Sequence, residues 1–266
     1  MIPKIIHYIW VGNNPKSDLV LKCINSWKKY CPDYEIMEWG NDILQEIDNQ
    51  YVKEAFEAKK WAFVSDYIRL YVLKKYGGVY LDTDSEITSS IDKFLADDFF
   101  IGFENYKGDV YPSCSPIGAV KNHKFISEIL DSYDDDKFNL GNGKLNLKTI
   151  PQRFYDYFCD KYPKKNFKDG YNTLEIEPKC KIYPYWYFLN YEENKENYAI
   201  HHFEASWKDD FAIKNKIIVP WLNNKKIILR KYKQQRPNAK FELPASEKII
   251  FKFAYSKKSF WCLTLI

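Results

Sequence analysis

The sequence predicts an α/β domain followed by a helical extension. Three observations carry this: a strand–helix–strand opening, a helix that stops on paired glycines before a short apolar strand, and a basic tail rich in apolar residues. Residues 4–11 (KIIHYIWV) are β-branched and aromatic, and Gly12 to Pro15 ends them as a turn. Residues 17–30 place Leu19, Cys23, Ile24 and Trp27 at helical spacing, with Ser17 or Asp18 as the cap. Residues 34–39 (YEIMEW) alternate as a strand does. Strand, helix, strand is how α/β domains begin.

Two helical segments follow, 51–60 and 61–76, the second closed by Gly77-Gly78 as a C-cap. Val79-Tyr80-Leu81 is a short strand leading into Asp82-Thr83-Asp84. Further strands are expected at 99–104 and 117–120, and helices at 123–133 and 150–159, the latter with Pro151 in its first turn. A loop is expected at 134–143, short strands broken by Pro178 and Pro184 at 174–191, and a last strand at 198–203. The tail from Ile217 reads as helix. These elements give a domain over 1–215 and a basic helical extension over 216–266.

Of the 266 residues, 45% are hydrophobic and 29% charged, as in a soluble globular chain. The net charge of +4 is too small to call for a nucleic-acid partner. The basic residues gather in 214–258, which suits an anionic surface or a phosphate-bearing substrate. None of the six cysteines forms a C-x-x-C pair, which argues against a zinc knuckle and for reduced thiols in a cytosolic protein. No signal peptide is expected at the start, and no window reaches the ~20 apolar residues of a membrane span.

The D-x-D carries the chemistry. In extended chain, residues i and i+2 point the same way, so Asp82 and Asp84 at a strand mouth face one ligand. Two such carboxylates repel unless a cation lies between them. A hard divalent ion takes their oxygens and still binds phosphate, which suits a metal-bridged diphosphate. Asp66 and Arg69, three apart on the preceding helix, share a face among apolar neighbours, an unusual place for two charges.

The segments 62–69 (AFVSDYIR) and 76–84 (YGGVYLDTD) resemble the glycosyltransferase family with a DXD-containing sugar-binding region. That family takes in bacterial capsule and lipopolysaccharide glycosyltransferases and a yeast mannosyltransferase, and more distantly the glucosylating domain of clostridial toxins. The opening 2–12 (IPKIIHYIWVG) resembles its first strand, and 199–207 (AIHHFEASW) its closing H-x-x-x-x-S-W element. Three separated motifs in order make the resemblance specific over about the first 210 residues.

The resemblance implies a GT-A fold and a retaining, metal-dependent hexose transfer from a nucleotide sugar, with UDP preferred and Mn²⁺ or Mg²⁺ as the metal. Ile9, Trp10 and Val11 would hold the base, and Tyr80 and Thr83 would line the donor pocket. Asp66 and Arg69 would grip sugar hydroxyls. Asp82, Asp84 and His201 would bind the metal, His201 being preferred to His202 by motif position. Ser206 and Trp207 would form a lid over the diphosphate that excludes water. Glu104 and Asp109 are candidates for the acceptor side. The implied acceptor is a glycan, carried on a lipid-linked oligosaccharide in capsular polysaccharide synthesis. The enzyme would then be cytoplasmic, with its basic tail against the inner membrane face. Three other readings compete: a toxin-like transferase acting on protein, a phosphatase with a D-x-D, and a sugar-nucleotide-binding module without turnover.

Overall fold

The computed structural model describes residues 1–12, 14–203, 211–220, 226–234, 248–256 and 259–265. The chain divides into two compact units, 1–202 and 203–266. The break follows His202, earlier than the residue 215 expected from composition.

The first unit opens with β1 (Ile5–Ile9), α1 (Asp18–Tyr30) and β2 (Glu35–Trp39). Ser17 caps α1 by accepting from the Val20 amide. Next come α2 (Gln50–Glu57), α3 (Trp61–Tyr76), β3 (Gly78–Tyr80) and β4 (Ser85–Ile87). Then follow β5 (Phe99–Tyr106), β6 (Asp109–Ala119) and α4 (Lys124–Asp131). The expected loop at 134–143 folds back on itself, so that β7 (Asn139–Gly141) pairs with β8 (Lys144–Leu145). The unit is completed by α5 (Ile150–Lys161), β9 (Leu174–Glu177), β10 (Cys180–Tyr183), α6 (Tyr185–Phe188) and β11 (Ala199–His201).

Seven strands form the central sheet in the order β2-β1-β3-β6-β5-β10-β9. The β1–β2, β1–β3 and β5–β10 pairings are parallel, whereas β6 and β9 run against their neighbours. This parallel-rich mixed sheet with packed helices is the α/β architecture expected. The helix α3 is buried on nearly every side, with Val64, Ile68, Leu70, Val72 and Leu73 sealed in the core. A helix apolar all round belongs in an interior, and α3 carries Asp66 and Arg69 in with it.

Gly77 and Gly78 let α3 turn into β3. Gly77 has φ +70 and its amide closes the helix on the Leu73 carbonyl. Gly78 has φ +109, and a Cβ there would meet the Ile5 carbonyl at 2.8 Å and His7 Nε2 at 2.9 Å. The glycine pair thus allows β3 to lie directly beside β1. The ring of His7, fully buried, donates from Nε2 to the Gly77 carbonyl at 2.7 Å and accepts the Trp39 indole N–H at Nδ1 at 3.1 Å. A carbonyl only accepts, so the two bonds together select one neutral tautomer.

The second unit departs from expectation. The tail read as helix is instead β12 (Phe211–Pro220), β13 (Lys226–Gln234), β14 (Lys248–Ser256) and β15 (Ser259–Leu265), an antiparallel sheet in the order β12-β13-β15-β14. The runs Ile217-Ile218-Val219, Ile227-Ile228 and Ile249-Ile250 explain the difference. β-Branched residues lose rotamer freedom in a helix and fit a pleated strand. The side chains expected to meet a membrane lie outside those described. No described helix is long and apolar enough to cross a membrane.

The buried histidines make stability depend on pH. Burial lowers His7 from 6.5 to about 4, although the Gly77 carbonyl opposes this, and burial likewise lowers His123 to about 4. The unfolded chain regains the ordinary value. The stability of these neutral rings is therefore complete above pH 6.5 and drains as pH falls from there through 4. The expected slope is up to about 1.4 kcal/mol per pH unit for each histidine. Urea unfolding from pH 7 to 4.5 checks this: His7→Gln should show a shallower decline than wild type, and equal slopes would exclude His7 as a source.

Candidate functional site

The D-x-D is a turn, not the extended strand end expected. After β3 the Leu81 amide still bonds the His7 carbonyl at 3.0 Å, and the chain then leaves the sheet. The Asp82 amide donates to Ser115 Oγ of β6 at 2.8 Å, and the Asp82 carbonyl accepts from the Ser85 amide at 2.9 Å. Ser85 Oγ in turn lies 2.8 Å from Ser115 Oγ. Because Ser115 takes the amide that an extended strand would have offered to a neighbour, the peptide reverses at Thr83. Behind it, α1 fastens β4: Trp27 Nε1 donates to the Ser85 carbonyl at 2.7 Å, and Ser26 Oγ accepts from the Ile87 amide at 2.9 Å.

β11 then pairs antiparallel with β4, with His201 opposite Ser85. The His202 amide bonds the Asp84 carbonyl at 3.0 Å. His201 Nε2 lies 3.0 Å from Asp84 Oδ1 and 3.8 Å from Asp82 Oδ2. One ligand atom from each of Asp82, Asp84 and His201 lies within 4.8 Å of the others. Ligands bonded at ~2.1 Å to one octahedral ion sit roughly 3 to 4 Å apart, and two carboxylates with an imidazole suit a divalent metal. His202 is directed elsewhere, its Nε2 lying 2.9 Å from Glu86 Oε2. Burial opposes charge on His201, but the hydrogen bond it donates to Asp84 and the charges of Asp84 and Asp82 raise its pKa overall.

Beneath the turn lies a buried ion network. Asp66 is 6% exposed and Arg69 5%. Arg69 Nη2 reaches Asp66 Oδ1 at 2.9 Å and Ser65 Oγ at 3.3 Å. Its Nη1 reaches Asp82 Oδ1 at 3.3 Å and the Cys114 carbonyl at 3.1 Å, and Nε donates to the Ser65 carbonyl at 3.3 Å. Each nitrogen of the guanidinium thus donates a hydrogen bond, and two carboxylates lie within ion-pair distance. The Tyr80 ring lies 4.4 Å from Arg69 Cζ, and its hydroxyl donates to Asp82 Oδ1 at 2.8 Å. One oxygen of Asp82 is thus committed to the interior, and the other faces His201. Burial opposes the charge of Arg69, but Asp82, Tyr80 and Asp66 more than restore it. Burial pushes Asp66 up to about 6, against the pull of Arg69. Asp66 Oδ2 also accepts from the Ile150 amide at 3.1 Å, so the carboxylate caps α5 from outside that helix.

The remaining expected residues are spread around this centre. Ile9 and Val11 are buried at the end of β1, so what they offer a base is backbone. Trp10 is half-exposed there, its indole N–H donated to the Asn14 carbonyl at 2.7 Å and Lys16 Nζ lying 5.7 Å from the ring. Thr83 is half-buried in the turn. Ser206 and Trp207 lie outside the described residues. Glu104 is half-buried on β5, its Oε1 accepting from the Tyr111 hydroxyl at 3.0 Å. Burial raises its carboxyl, the Tyr111 bond and His201 lower it, and Asp82 raises it, so Glu104 stands within electrostatic reach of the cluster. Asp109 is exposed at the hairpin end of β6. Sequence reasoning missed Ser85 and Ser115, whose signal was two hydroxyls in otherwise buried strand segments.

With this geometry in view, the comparisons are direct. The family described as "Glycosyltransferase sugar-binding region containing DXD motif" matches residues 17–101. A protein of Acanthamoeba polyphaga mimivirus, called an uncharacterized glycosyltransferase, is 30% identical over 202 residues, covering 69% of this chain and 75% of the relative. The chain belongs to the DXD glycosyltransferase family. A second member, inositol phosphoceramide mannosyltransferase 3 of Schizosaccharomyces pombe, is 26% identical over 145 residues, 52% of this chain. The match spans only 39% of that fungal protein. Among solved structures, the PaToxG glycosyltransferase is 22% identical, with 61% of this chain and 70% of that one covered at a TM-score of 0.49. The family segment contains Asp66, Arg69, Asp82 and Asp84, whereas His201 comes from outside it.

The buried network predicts an asymmetry between its members. Arg69→Met leaves Asp66 without its guanidinium, and the expected loss is about 3–5 kcal/mol. Ser115→Ala removes one acceptor from the turn, with an expected loss of about 1–2 kcal/mol. Denaturant unfolding of both variants measures this, and equal small losses would contradict the network as drawn.

Proposed function

We propose that the protein transfers a hexose from a nucleotide sugar to a glycan, with a divalent metal held by Asp82, Asp84 and His201. The convergence of these three side chains on one point carries the reading. Membership of the DXD family supports it. Mn²⁺ or Mg²⁺ fits the two carboxylates, and Mn²⁺ accepts the imidazole more readily. Once bound, such an ion would offset the charge that develops on the departing nucleoside diphosphate.

The chain's own residues have distinct parts in this reading. Arg69 and Tyr80 hold Asp82 Oδ1, which leaves Oδ2 for the metal. By the motif resemblance, Asp66 and Arg69 would contact the hydroxyls of the donor sugar. Trp10 offers a flat ring to the base, with UDP as the preferred nucleotide. Thr83 lies between the two aspartates, against the diphosphate. By the motif resemblance, Ser206 and Trp207 would serve as its lid. Retention at the anomeric carbon, a lipid-linked oligosaccharide acceptor, a role in bacterial capsule synthesis and a cytoplasmic place of work at the membrane face complete the proposal. These four rest on the motif resemblance and on the basic residues of the tail.

The test is nucleoside diphosphate release from a panel of nucleotide sugars, with and without Mn²⁺. One donor should be hydrolysed only with metal. Asp84→Ala and His201→Ala should each lower release more than about 100-fold, while His202→Ala stays within about threefold. If no donor is hydrolysed and none raises the melting temperature in the presence of Mn²⁺, the transferase reading falls.

A further inference from the structure

Among the described side chains of the first unit, the exposed aromatic ones are three tyrosines: Tyr106 (53% exposed), Tyr171 (58%) and Tyr191 (62%). They are far apart in sequence but are tied to one place. The Asn105 amide donates to Asn190 Oδ1 at 3.1 Å, and Asn190 Nδ2 donates back to the Asn105 carbonyl at 3.3 Å. Tyr106 and Tyr191 each follow one member of this pair. Val110 lies opposite Asn105 in the β5–β6 register. The space where Gly170 would carry a Cβ is filled by Val110 Cγ1, 2.5 Å away. Tyr171 follows Gly170, its ring 5.5 Å from Tyr185 and 6.3 Å from Trp186.

This patch adjoins the candidate site. Glu104, one residue before Asn105, pairs with Tyr111 across the hairpin. Leu189, one residue before Asn190, accepts from the His201 amide through its carbonyl at 3.1 Å. Of the two segments that expose Tyr106 and Tyr191, one therefore carries the half-buried Glu104 and the other accepts the backbone amide of the metal-ligand candidate His201.

We propose that the end of the β5–β6 hairpin is the docking platform for a neutral acceptor glycan, with Tyr106, Tyr171 and Tyr191 as stacking faces and Glu104 as an acceptor of sugar hydroxyls. This rests on the transferase reading for its reaction, but the binding it asserts stands apart from catalysis. Flat exposed rings suit the C–H faces of sugars and present a polar tip to water. Asn105, Asn190 and Glu104 supply the amide and carboxylate partners that hydroxyls need. The occupant is taken as uncharged because the patch carries both signs: Lys107 Nζ lies 5.1 Å from the Tyr106 ring and Lys195 Nζ 4.8 Å from Trp186, against Asp109 opposite Tyr106 and Glu192 bonded by Tyr185, so neither an anion nor a cation is favoured.

The experiment titrates the full chain, without donor or metal, against an array of neutral oligosaccharides and against vesicles containing phosphatidylglycerol. Some oligosaccharides should be retained. Tyr106→Ala and Tyr191→Ala should weaken that retention at least tenfold, with melting temperatures unchanged, and Glu104→Gln should weaken it as well. The exposed Leu147→Ala serves as control and should bind as wild type. Three outcomes overturn the proposal: no oligosaccharide retained, retention unaffected by the tyrosine variants, or vesicle binding lost in those variants without sugar binding. Because neither metal nor donor is present, failure of nucleotide-sugar hydrolysis and failure of this platform are separate results.

Discussion

The guanidinium of Arg69 holds the site's parts in place. It lies in a helix that is buried almost all round, where an unpaired charge would be ruinous. Two carboxylates and a carbonyl meet it from three elements: Asp66 on α3, Asp82 after β3, and Cys114 on β6. The cost of burying the ions is offset only by close partners and further hydrogen bonds, and here bonds to Ser65 and Cys114 join the two carboxylates around the guanidinium. Satisfying that condition orients Asp82, and the orientation of Asp82 decides which of its oxygens is left for a ligand.

The network also reaches beyond the turn. Asp66 takes the first amide of α5, so a helix beginning at residue 150 is fastened to the back of the candidate metal site. The partial positive charge of a helix start favours a carboxylate there. α5 lies outside the family segment, yet its N-terminus is part of the surroundings that keep Asp66 in place.

Much of this was legible in the sequence, for physical reasons that differ by residue. The strands and helices of the first unit follow hydrophobic period, and α3 ends where Gly77 supplies a positive φ that other residues resist. Asp66, Arg69, Asp82, Asp84 and His201 were all singled out, and the fold brings them together. What could not be read was geometry set by distant partners. The reversal at Thr83 depends on Ser115, thirty-three residues on from Asp82, and no local pattern announces that a serine will take an amide. The tail from Ile217 forms strands where a helix was expected, because its paired isoleucines fit a pleated sheet better than a helix.

The pairing of β11 with β4 has a consequence for how the site comes into being. His201 and Asp84 are separated by 117 positions. A fragment ending at residue 101 would hold the recognisable motif with both aspartates and yet have neither the imidazole nor the strand that delivers it. The site is in this sense a product of chain closure. A chain lacking β11 would hold both aspartates without His201, so the full set of three ligand groups would be complete only with the last strand of the first unit.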